Sequence, residues 1–239
     1  VRVAPKFGDG HFELGNALAA AGRPTEAIDS FRAAIKCKDL GDRPMAFNNL
    51  GNVLSDVGDA AGAMKEYRKG LRFAPTFTYL HNGLANVLAS QSRDSEAAAT
   101  LRRALRVSPA AHYAHYNLGN SLRRLKQTRE AEHHFARALD AVPDDWRYLQ
   151  GLGQLRHETT RLDEAVGLYE RARGRLMALG EPASIPLERD LATALREAAK
   201  YDEADLVARR VVTLDPASPD SYTTLATVLR QAGRYEESG

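Results

Sequence analysis

The ten residues from Asn48 to Val57 read "NNLGNVLSDV", and a close copy, "YNLGNSLRRL", runs from Tyr116 to Leu125. Both stretches otherwise have the residue pattern of a helix. Asparagine is a poor helix former because its side-chain amide competes for nearby backbone groups. Its return at the same place in two helical stretches therefore needs a cause beyond local structure.

The leucine of this stretch marks an internal repeat. Leu50, Leu84, Leu118 and Leu152 lie 34 residues apart, and each is followed by Gly or Ala. With small insertions the same register also takes in Leu14, Leu191 and Leu225. Thirteen residues after the leucine comes a small residue, at Ala27, Ala63, Ala97, Ala131, Ala165 and Ala204. A large apolar residue usually follows, at Phe31, Tyr67, Leu101, Phe135 and Tyr169, and most repeats close with a proline, at Pro75, Pro109, Pro143 and Pro216.

Each repeat is predicted to form two amphipathic helices. In "LGNALAAAG", which begins at Leu14, the apolar and small residues recur at helical spacing, and Gly22 ends the pattern. The second helix, in "TEAIDSFRAAI", puts Ala27 and Phe31 on its buried stripe. The closing proline ends this helix, because it has no N–H to donate and clashes with the preceding turn.

This pattern resembles the tetratricopeptide repeat, whose 34-residue unit is a helix-turn-helix with the same sequence of Leu, Gly or Ala, a later Ala, an aromatic and a closing Pro. The resemblance covers essentially the whole chain. It implies an all-α fold, a right-handed superhelical solenoid of stacked antiparallel helix pairs. We therefore expect thirteen or more helices and no strand. Arg156 and Ala208 stand where the family has large apolar residues, so looser packing is expected around them.

The register predicts the boundaries of the repeats. Full repeats are expected at 8–43, 44–77, 78–111, 112–145, 146–184 and 185–218. Residues 1–7 are interpreted as the tail of a preceding repeat and residues 219–239 as a truncated seventh one, so end-to-end self-stacking is expected through the uncapped ends. The fifth repeat is longer than the others. We expect its second helix to run about one turn longer, followed by an exposed connector from Glu181 to Pro186.

Composition excludes several classes of protein. The formal net charge is only +2, which gives no reason to expect a nucleic-acid partner. No stretch is apolar for the length that a membrane helix needs, so no membrane partner is expected. Cys37 is the only cysteine, which excludes an internal disulfide framework and is typical of a reducing compartment such as the cytoplasm or nucleus.

The ninth position of every repeat, two residues after its leucine, carries a small polar side chain. In resembling repeat proteins this position faces the concave groove, as do positions two, five, twelve and thirteen. The resemblance therefore implies a peptide-binding groove lined by Asn16, Asn52, Asn86, Asn120 and Gln154, and also by Phe12, Asn48, Tyr79, Asn82, Tyr113, Tyr116, Arg123, Arg124, His157 and Arg196.

Two interpretations of this amide series stay open. An asparagine amide offers a donor and an acceptor together, as a peptide bond does, so stacked amides could hold an extended backbone without reading its side chains. The alternatives are solvated side chains and hydrogen bonds between adjacent helices. We favour contact with a ligand, because four successive asparagines at an unfavourable helical position need a common cause.

The sixth position supplies Asn49 and Asn117. The run Asn-Leu-Gly-Asn around them resembles the repeat region of O-linked N-acetylglucosamine transferases, in which an asparagine ladder at this position grips substrate polypeptides. Only these two rungs match here. The carboxylate clamp of the family's chaperone-tail binders is not expected, because Tyr79 and Phe12 stand where that clamp has lysines.

The predicted groove changes character along the chain. Its early part is aromatic and neutral, whereas Arg123, Arg124, His157, Arg189, Arg196 and Arg230 lie at later groove positions. An acidic segment of a partner would find complementary charge toward the C-terminal half. Glu158 and Glu197 offset some of that charge, so an ordinary solvated helix surface is an equal alternative.

No catalytic or cofactor motif accompanies the repeats. HExxH, CxxC, GxSxG and GxxxxGK are all absent, and His115 falls at a packing position. We therefore expect no catalytic residue, metal or cofactor. The favoured hypothesis is a noncatalytic scaffold that binds an extended or helical polypeptide of a protein partner. Its rival is the substrate-recognition arm of a larger enzyme, such as a glycosyltransferase of the kind named above.

Overall fold

The computed structural model describes residues 7–233, and these residues form thirteen α-helices and no β-strand. The predicted all-α fold of repeated helices is confirmed. Most of the predicted N-terminal tail and residues 234–239 lie outside the described residues. The helices are α1 (Gly8–Ala20), α2 (Pro24–Lys36), α3 (Arg43–Asp56), α4 (Ala60–Phe73), α5 (Thr78–Ser90), α6 (Asp94–Val107), α7 (His112–Arg124), α8 (Thr128–Ala141), α9 (Trp146–Glu158), α10 (Leu162–Ala178), α11 (Ile185–Glu197), α12 (Tyr201–Leu214) and α13 (Pro219–Gln231).

The helices group into two units. Helices α1–α7 belong to an N-terminal unit that ends at Lys126, and α8–α13 belong to a C-terminal unit that begins at Gln127. Within each unit every helix packs against the next one along the chain, and the short connections between them make neighbours antiparallel. Odd-numbered helices also pack on one another, α1 on α3, α3 on α5 and α5 on α7, and in the other unit α9 on α11 and α11 on α13. Within the described part of either unit, no two even-numbered helices pack directly, so the odd-numbered helices form the continuous layer.

The first, second and fifth repeats are each held together by an aromatic ring that lies on glycine. The buried Tyr67 of α4 packs on Gly51 of α3 and Gly83 of α5. A Cβ atom at Gly51 would lie 2.4 Å from this ring, and one at Gly83 would lie 2.5 Å from it, closer than real contacts allow. Gly15 and Gly153 make the same room for Phe31 and Tyr169. The glycine beside the repeat leucine is therefore needed for close packing of the two helices.

A left-handed residue ends the first helix of each repeat. Gly22 and Gly58 have φ values of 69° and 85°, a conformation that glycine adopts without steric cost. The equivalent residues in four later repeats are Ser92, Lys126, Thr160 and Ala199, each with φ of 58° or 59°. The turn is therefore set by the repeat geometry, and glycine only lowers its cost.

Two core residues differ from expectation. Leu14 was expected to pack but is 39% exposed, whereas its equivalents Leu50 and Leu118 are fully buried. Those two lie on helices that also pack against the second helix of the preceding repeat, and no such helix precedes α1 within residues 7–233. Arg156 stands at a large-apolar position, yet it is buried, because its guanidinium pairs with Glu132 and lies 3.1 Å from Glu164. The Arg156 guanidinium lowers the pKa of the Glu132 carboxyl.

Two buried histidines near the start of the third and fourth repeats are structural. His81 and His115 are buried, and each donates from Nε2 to the carbonyl oxygen of the closing proline of the preceding repeat, at 2.9 Å for Pro75 and 3.0 Å for Pro109. These bonds tie each first helix to the turn before it. They also satisfy a polar atom inside the core, which agrees with the packing role predicted for His115.

The extra residues of the fifth repeat lie in α10 and in the segment after it. Helix α10 has 17 residues, whereas α8 and α12 have 14 each. The connector lies two residues earlier than predicted, because α10 ends at Ala178 and α11 begins at Ile185, so that Pro186 already lies in the first turn of α11. A proline fits there since the first N–H groups of a helix have no partner in any case. The connector thus comprises residues 179–184.

We expect limited proteolysis of the native chain to cut first within residues 179–184. This connector is mostly exposed and has no regular structure, so a protease can bind it with little local unfolding. Subtilisin digestion followed by intact-mass spectrometry would locate the first cut. Earlier cuts at the tight turns near Gly58 or Lys126 would contradict the expectation.

Candidate functional site

The predicted groove residues all lie on odd-numbered helices, in the layer where these helices meet. Most of them belong to the N-terminal unit, on α1, α3, α5 and α7, whereas the C-terminal unit carries Gln154, His157, Arg189, Arg196 and Arg230. We use the name amide face for the surface of the N-terminal unit formed by Asn16, Asn49, Asn52, Asn82, Asn86, Asn117 and Asn120.

Two pairs of these amides bridge neighbouring helices. Asn49 donates from Nδ2 to Oδ1 of Asn16 at 2.8 Å, which joins α3 to α1. Asn117 donates in the same way to Asn82 at 2.8 Å, which joins α7 to α5. The interhelix interpretation therefore holds for these four side chains, whose hydrogen-bonding capacity is partly used within the protein.

Two further asparagines bond within their own repeat. Asn52 accepts a hydrogen bond of 2.7 Å from the hydroxyl of Tyr67, the ring that lies on Gly51 and Gly83. Asn48 was predicted to line the groove, but it is only 8% exposed, and its amide donates to Asn49 at 3.2 Å. Asn48 therefore supports the adjacent amide and presents little surface to a ligand.

Asn86 and Asn120 differ from the other members of the amide face. Within residues 7–233 neither side chain has a hydrogen-bond partner, and neither is fully buried. They occupy the same register position on the adjacent helices α5 and α7. Both line a cavity of about 260 Å³, together with Tyr116, Asn117 and Arg124. These two amides keep both donor and acceptor available.

An aromatic cluster lies where α5 and α7 begin. The rings of Tyr79 and Tyr113 stack at 5.3 Å with an interplanar angle of 11°, and Phe77 lies 5.7 Å from Tyr79. The Tyr113 hydroxyl is 2.7 Å from the hydroxyl of Thr78, and burial raises the pKa of Tyr113. Tyr79 remains 50% exposed and offers a ring surface beside the amide face. Phe12, in contrast, packs on Phe31 of its own repeat at 5.9 Å.

Sequence reasoning missed Phe77, Thr78 and Asp94 as neighbours of this surface. Phe77 and Thr78 stand just outside the repeat positions that face the groove. Asp94 is the first residue of α6 and looks like a helix-start residue, but it is buried and accepts from Nε of Arg124 at 2.7 Å. No local pattern predicts a contact between residues that far apart in the chain.

Most cations predicted in the C-terminal unit have acidic neighbours. His157 Nε2 lies 2.8 Å from a carboxylate oxygen of Glu197, whose other oxygen accepts from Arg196 at 2.8 Å. Arg189 lies 3.4 Å from Asp220. Acidic residues therefore do offset part of the positive charge on this surface, an alternative that the sequence left open. An acidic partner would have to compete with these carboxylates.

The amides of the C-terminal unit are also engaged. Gln154 and Gln150 on α9 both donate to Oδ2 of Asp190 on α11, each at 2.8 Å. Gln154 thus links two helices rather than presenting a free amide. At this place in the C-terminal unit, the predicted ladder of free amides is replaced by hydrogen bonds from two glutamine amides to one carboxylate.

The described part of the chain has neither a metal-binding cluster nor a membrane-spanning helix. Among residues 7–233 there is no group of three His, Cys, Asp or Glu side chains arranged to hold a metal ion. In the same range, every helix is too short or too polar to cross a membrane.

Comparison with known families gives a match along nearly the whole chain. A family model described as tetratricopeptide repeat matches residues 1–42, 12–76, 82–128, 116–178 and 189–239. Among curated proteins, FlbA of Caulobacter vibrioides (strain ATCC 19089 / CIP 103742 / CB 15) is 40% identical over 73 residues. That match covers 29% of this chain and only 11% of the relative.

Solved structures share the fold. A tetratricopeptide repeat protein from Parabacteroides merdae ATCC 43184 superposes with a TM-score of 0.73 at 17% identity, covering 97% of this chain and 89% of its own. PilW, described as a widely conserved type IV pilus biogenesis factor, superposes with a TM-score of 0.79 at 18% identity, covering 93% of this chain and 98% of its own. At these identities the likeness concerns the fold alone.

Proposed function

The chain belongs to the tetratricopeptide repeat family, and from that premise we propose that it is a scaffold that binds an extended polypeptide segment on the amide face of its N-terminal unit. Members of this family are in general noncatalytic and bind other proteins. The observation that carries the proposal is the pair of available amides at Asn86 and Asn120.

The geometry of helix packing suits an extended backbone. Neighbouring helices lie about 8 to 10 Å apart, and an extended chain rises roughly 3.3 Å per residue. Amides on adjacent odd-numbered helices would therefore meet about every third residue of the ligand. Each amide can donate to a carbonyl and accept from an N–H, so the contact needs no particular side chain.

The other members of the amide face support this contact indirectly. The bonds from Asn49 to Asn16 and from Asn117 to Asn82 fix the spacing of the helices that carry them. Asn49 and Asn117 are also the two rungs that resemble the transferase ladder. Because both donate to neighbouring side chains, the structure gives no particular reason to prefer the enzyme-arm hypothesis over the scaffold.

The proposal is tested by replacing both Asn86 and Asn120 with alanine. The variant is expected to fold and to be as stable as the native chain or slightly more so, because alanine is the better helix former by up to roughly 0.7 kcal/mol per site. Each lost hydrogen bond is worth about 0.5 to 1.5 kcal/mol net, so peptide affinity should fall about fivefold to a hundredfold. The probe is a pooled library of N-acetylated, C-amidated nonapeptides, with affinity read by fluorescence anisotropy and stability by thermal circular dichroism.

The pair Asn49→Ala and Asn117→Ala is the matched comparison, since it breaks two interhelix bonds. That variant should lose stability. If instead the Asn86 and Asn120 variant loses several degrees of Tm and keeps its peptide affinity, these amides are structural and the proposal is wrong. Photo-crosslinks from bound peptides that avoid α3, α5 and α7 would also contradict it.

A further inference from the structure

The cavity beside Asn86 and Asn120 has a small apolar floor and a polar rim. Its volume is about 260 Å³, and every residue that lines it belongs to α5, α6 or α7. Ala85, Ala89 and Leu101 form the apolar part, and the short alanine side chains leave the space open. A recess of this kind can take one side chain of a polypeptide whose backbone lies across the polar rim.

One polar group in the cavity lacks a partner although it is deeply buried. Ser121 is 1% exposed, and its hydroxyl oxygen has no hydrogen bond within residues 7–233. A buried hydroxyl without a partner is costly, and most such groups in native proteins are satisfied. Since Ser121 lines the cavity, a ligand atom placed there can supply the missing bond.

The electrostatics of the cavity favour an anion. Arg124 lines it and is partly exposed, and within the described residues its only partner is Asp94, bound through Nε. The two terminal nitrogens of the guanidinium therefore remain available as donors. No aspartate or glutamate lines the cavity among residues 7–233. The carboxylate of Asp94, which is bound to the inner nitrogen of Arg124, does not belong to the lining.

We propose that this cavity is a subsite for the side-chain carboxylate of an acidic residue, glutamate or aspartate, in the bound polypeptide. The proposal rests on the proposed function and adds a specificity to it. Four groups supply donors to the carboxylate: one N–H of the amide of Asn86 and of Asn120, the hydroxyl of Ser121 and the guanidinium of Arg124. The second N–H and the oxygen of each amide remain for the ligand backbone. Hydrogen bonds to an ionised acceptor are about twice as strong as neutral ones, so the carboxylate should outcompete an amide.

The first experiment compares peptide pools that differ at one position. N-acetylated, C-amidated nonapeptide pools carry Glu, Asp, Gln, Lys or Leu at the central residue, with the other positions randomised. We expect the tighter of the two acidic pools to bind the native chain about tenfold more strongly than the Gln pool. Matched pools with a free C-terminus test the other source of a carboxylate.

The results separate the two proposals. If no pool binds, both proposals are overturned. If all pools bind the N-terminal unit equally, or if the Gln pool equals both acidic pools, only the carboxylate subsite is overturned. If the preference for an acid appears only with a free C-terminus, the subsite takes a terminal carboxylate and its assignment to a side chain is wrong.

A charged variant then locates the preference. Asn120→Asp keeps the shape of the side chain but places a carboxylate on the rim, so affinity for the acidic pools should fall about tenfold to a hundredfold while the Lys pool improves. The control is Gln91→Glu, which makes the same change from an amide to a carboxylate at an exposed residue of the N-terminal unit outside both the amide face and the cavity. It should change affinity less than twofold. Equal losses in both variants would overturn the subsite.

Discussion

Replacing Tyr67 with alanine is expected to lower the free energy of unfolding by about 3 to 5 kcal/mol. Tyr67 is 2% exposed, and its ring packs on Gly51 of α3 and Gly83 of α5, so it links its own helix α4 to both neighbours. Its removal leaves a cavity that the glycines cannot fill. The buried hydroxyl also donates to Asn52, and burial raises the pKa of Tyr67, so the donor stays protonated at neutral pH.

Urea unfolding followed by circular dichroism measures this loss. Tyr67→Phe separates the two contributions, because it removes only the hydrogen bond to Asn52, worth about 0.5 to 1.5 kcal/mol. Tyr79→Ala is the matched control, since Tyr79 is a half-exposed tyrosine on the neighbouring helix and should change stability by less than about 1 kcal/mol. A Tyr67→Ala variant as stable as the Tyr79→Ala variant would show that the ring is not a packing centre.

The second large effect is expected when Arg173 and Arg210 are both replaced with alanine. Glu188 on α11 is 1% exposed, and its carboxylate lies 3.8 Å from Arg173 on α10 and 3.5 Å from Arg210 on α12. Its Oε2 atom has no hydrogen-bond partner within the described residues. Removing both cations leaves a buried carboxylate without compensation, which costs about 3 to 5 kcal/mol.

A third substitution tests the cause. Adding Glu188→Leu to the double variant should restore most of the lost stability, because an apolar side chain needs no counter-charge. Arg171→Ala is the control, since its pair with Asp144 is exposed on both sides and should contribute less than about 1 kcal/mol. The test compares the urea midpoints of the native chain, the double variant, the triple variant and the Arg171→Ala variant. If the triple variant is no more stable than the double one, lost packing of the arginine stems explains the effect instead.

Sequence reasoning was sufficient for the fold. The 34-residue spacing of Leu50, Leu84 and Leu118, with glycine beside the leucine and proline at the close, predicted helix pairs that the structure confirms. These features act within a few residues of one another, through helical periodicity, backbone freedom and the missing N–H of proline. Local physical chemistry therefore carries most of the information about the elements and their order.

The candidate site was predicted only as a set of positions. Asn52 and Asn120 occupy the same register position, yet one accepts from Tyr67 while the other has no partner within residues 7–233. Likewise, Glu188 lies in the first turn of α11, where an acidic side chain is usually solvated, but two arginines from neighbouring helices allow it to be buried.

The sequence alone thus determined the repeat, its register and the polar nature of the layer where the odd-numbered helices meet. Only the tertiary structure decided which amides are bonded and which are available. The bond from Asn49 to Asn16 joins residues 33 positions apart, and the bond from Asn117 to Asn82 joins residues 35 apart. A side chain's partner at such a separation depends on how adjacent helices are spaced and on the rotamers their packing allows, and neither is encoded within a single repeat.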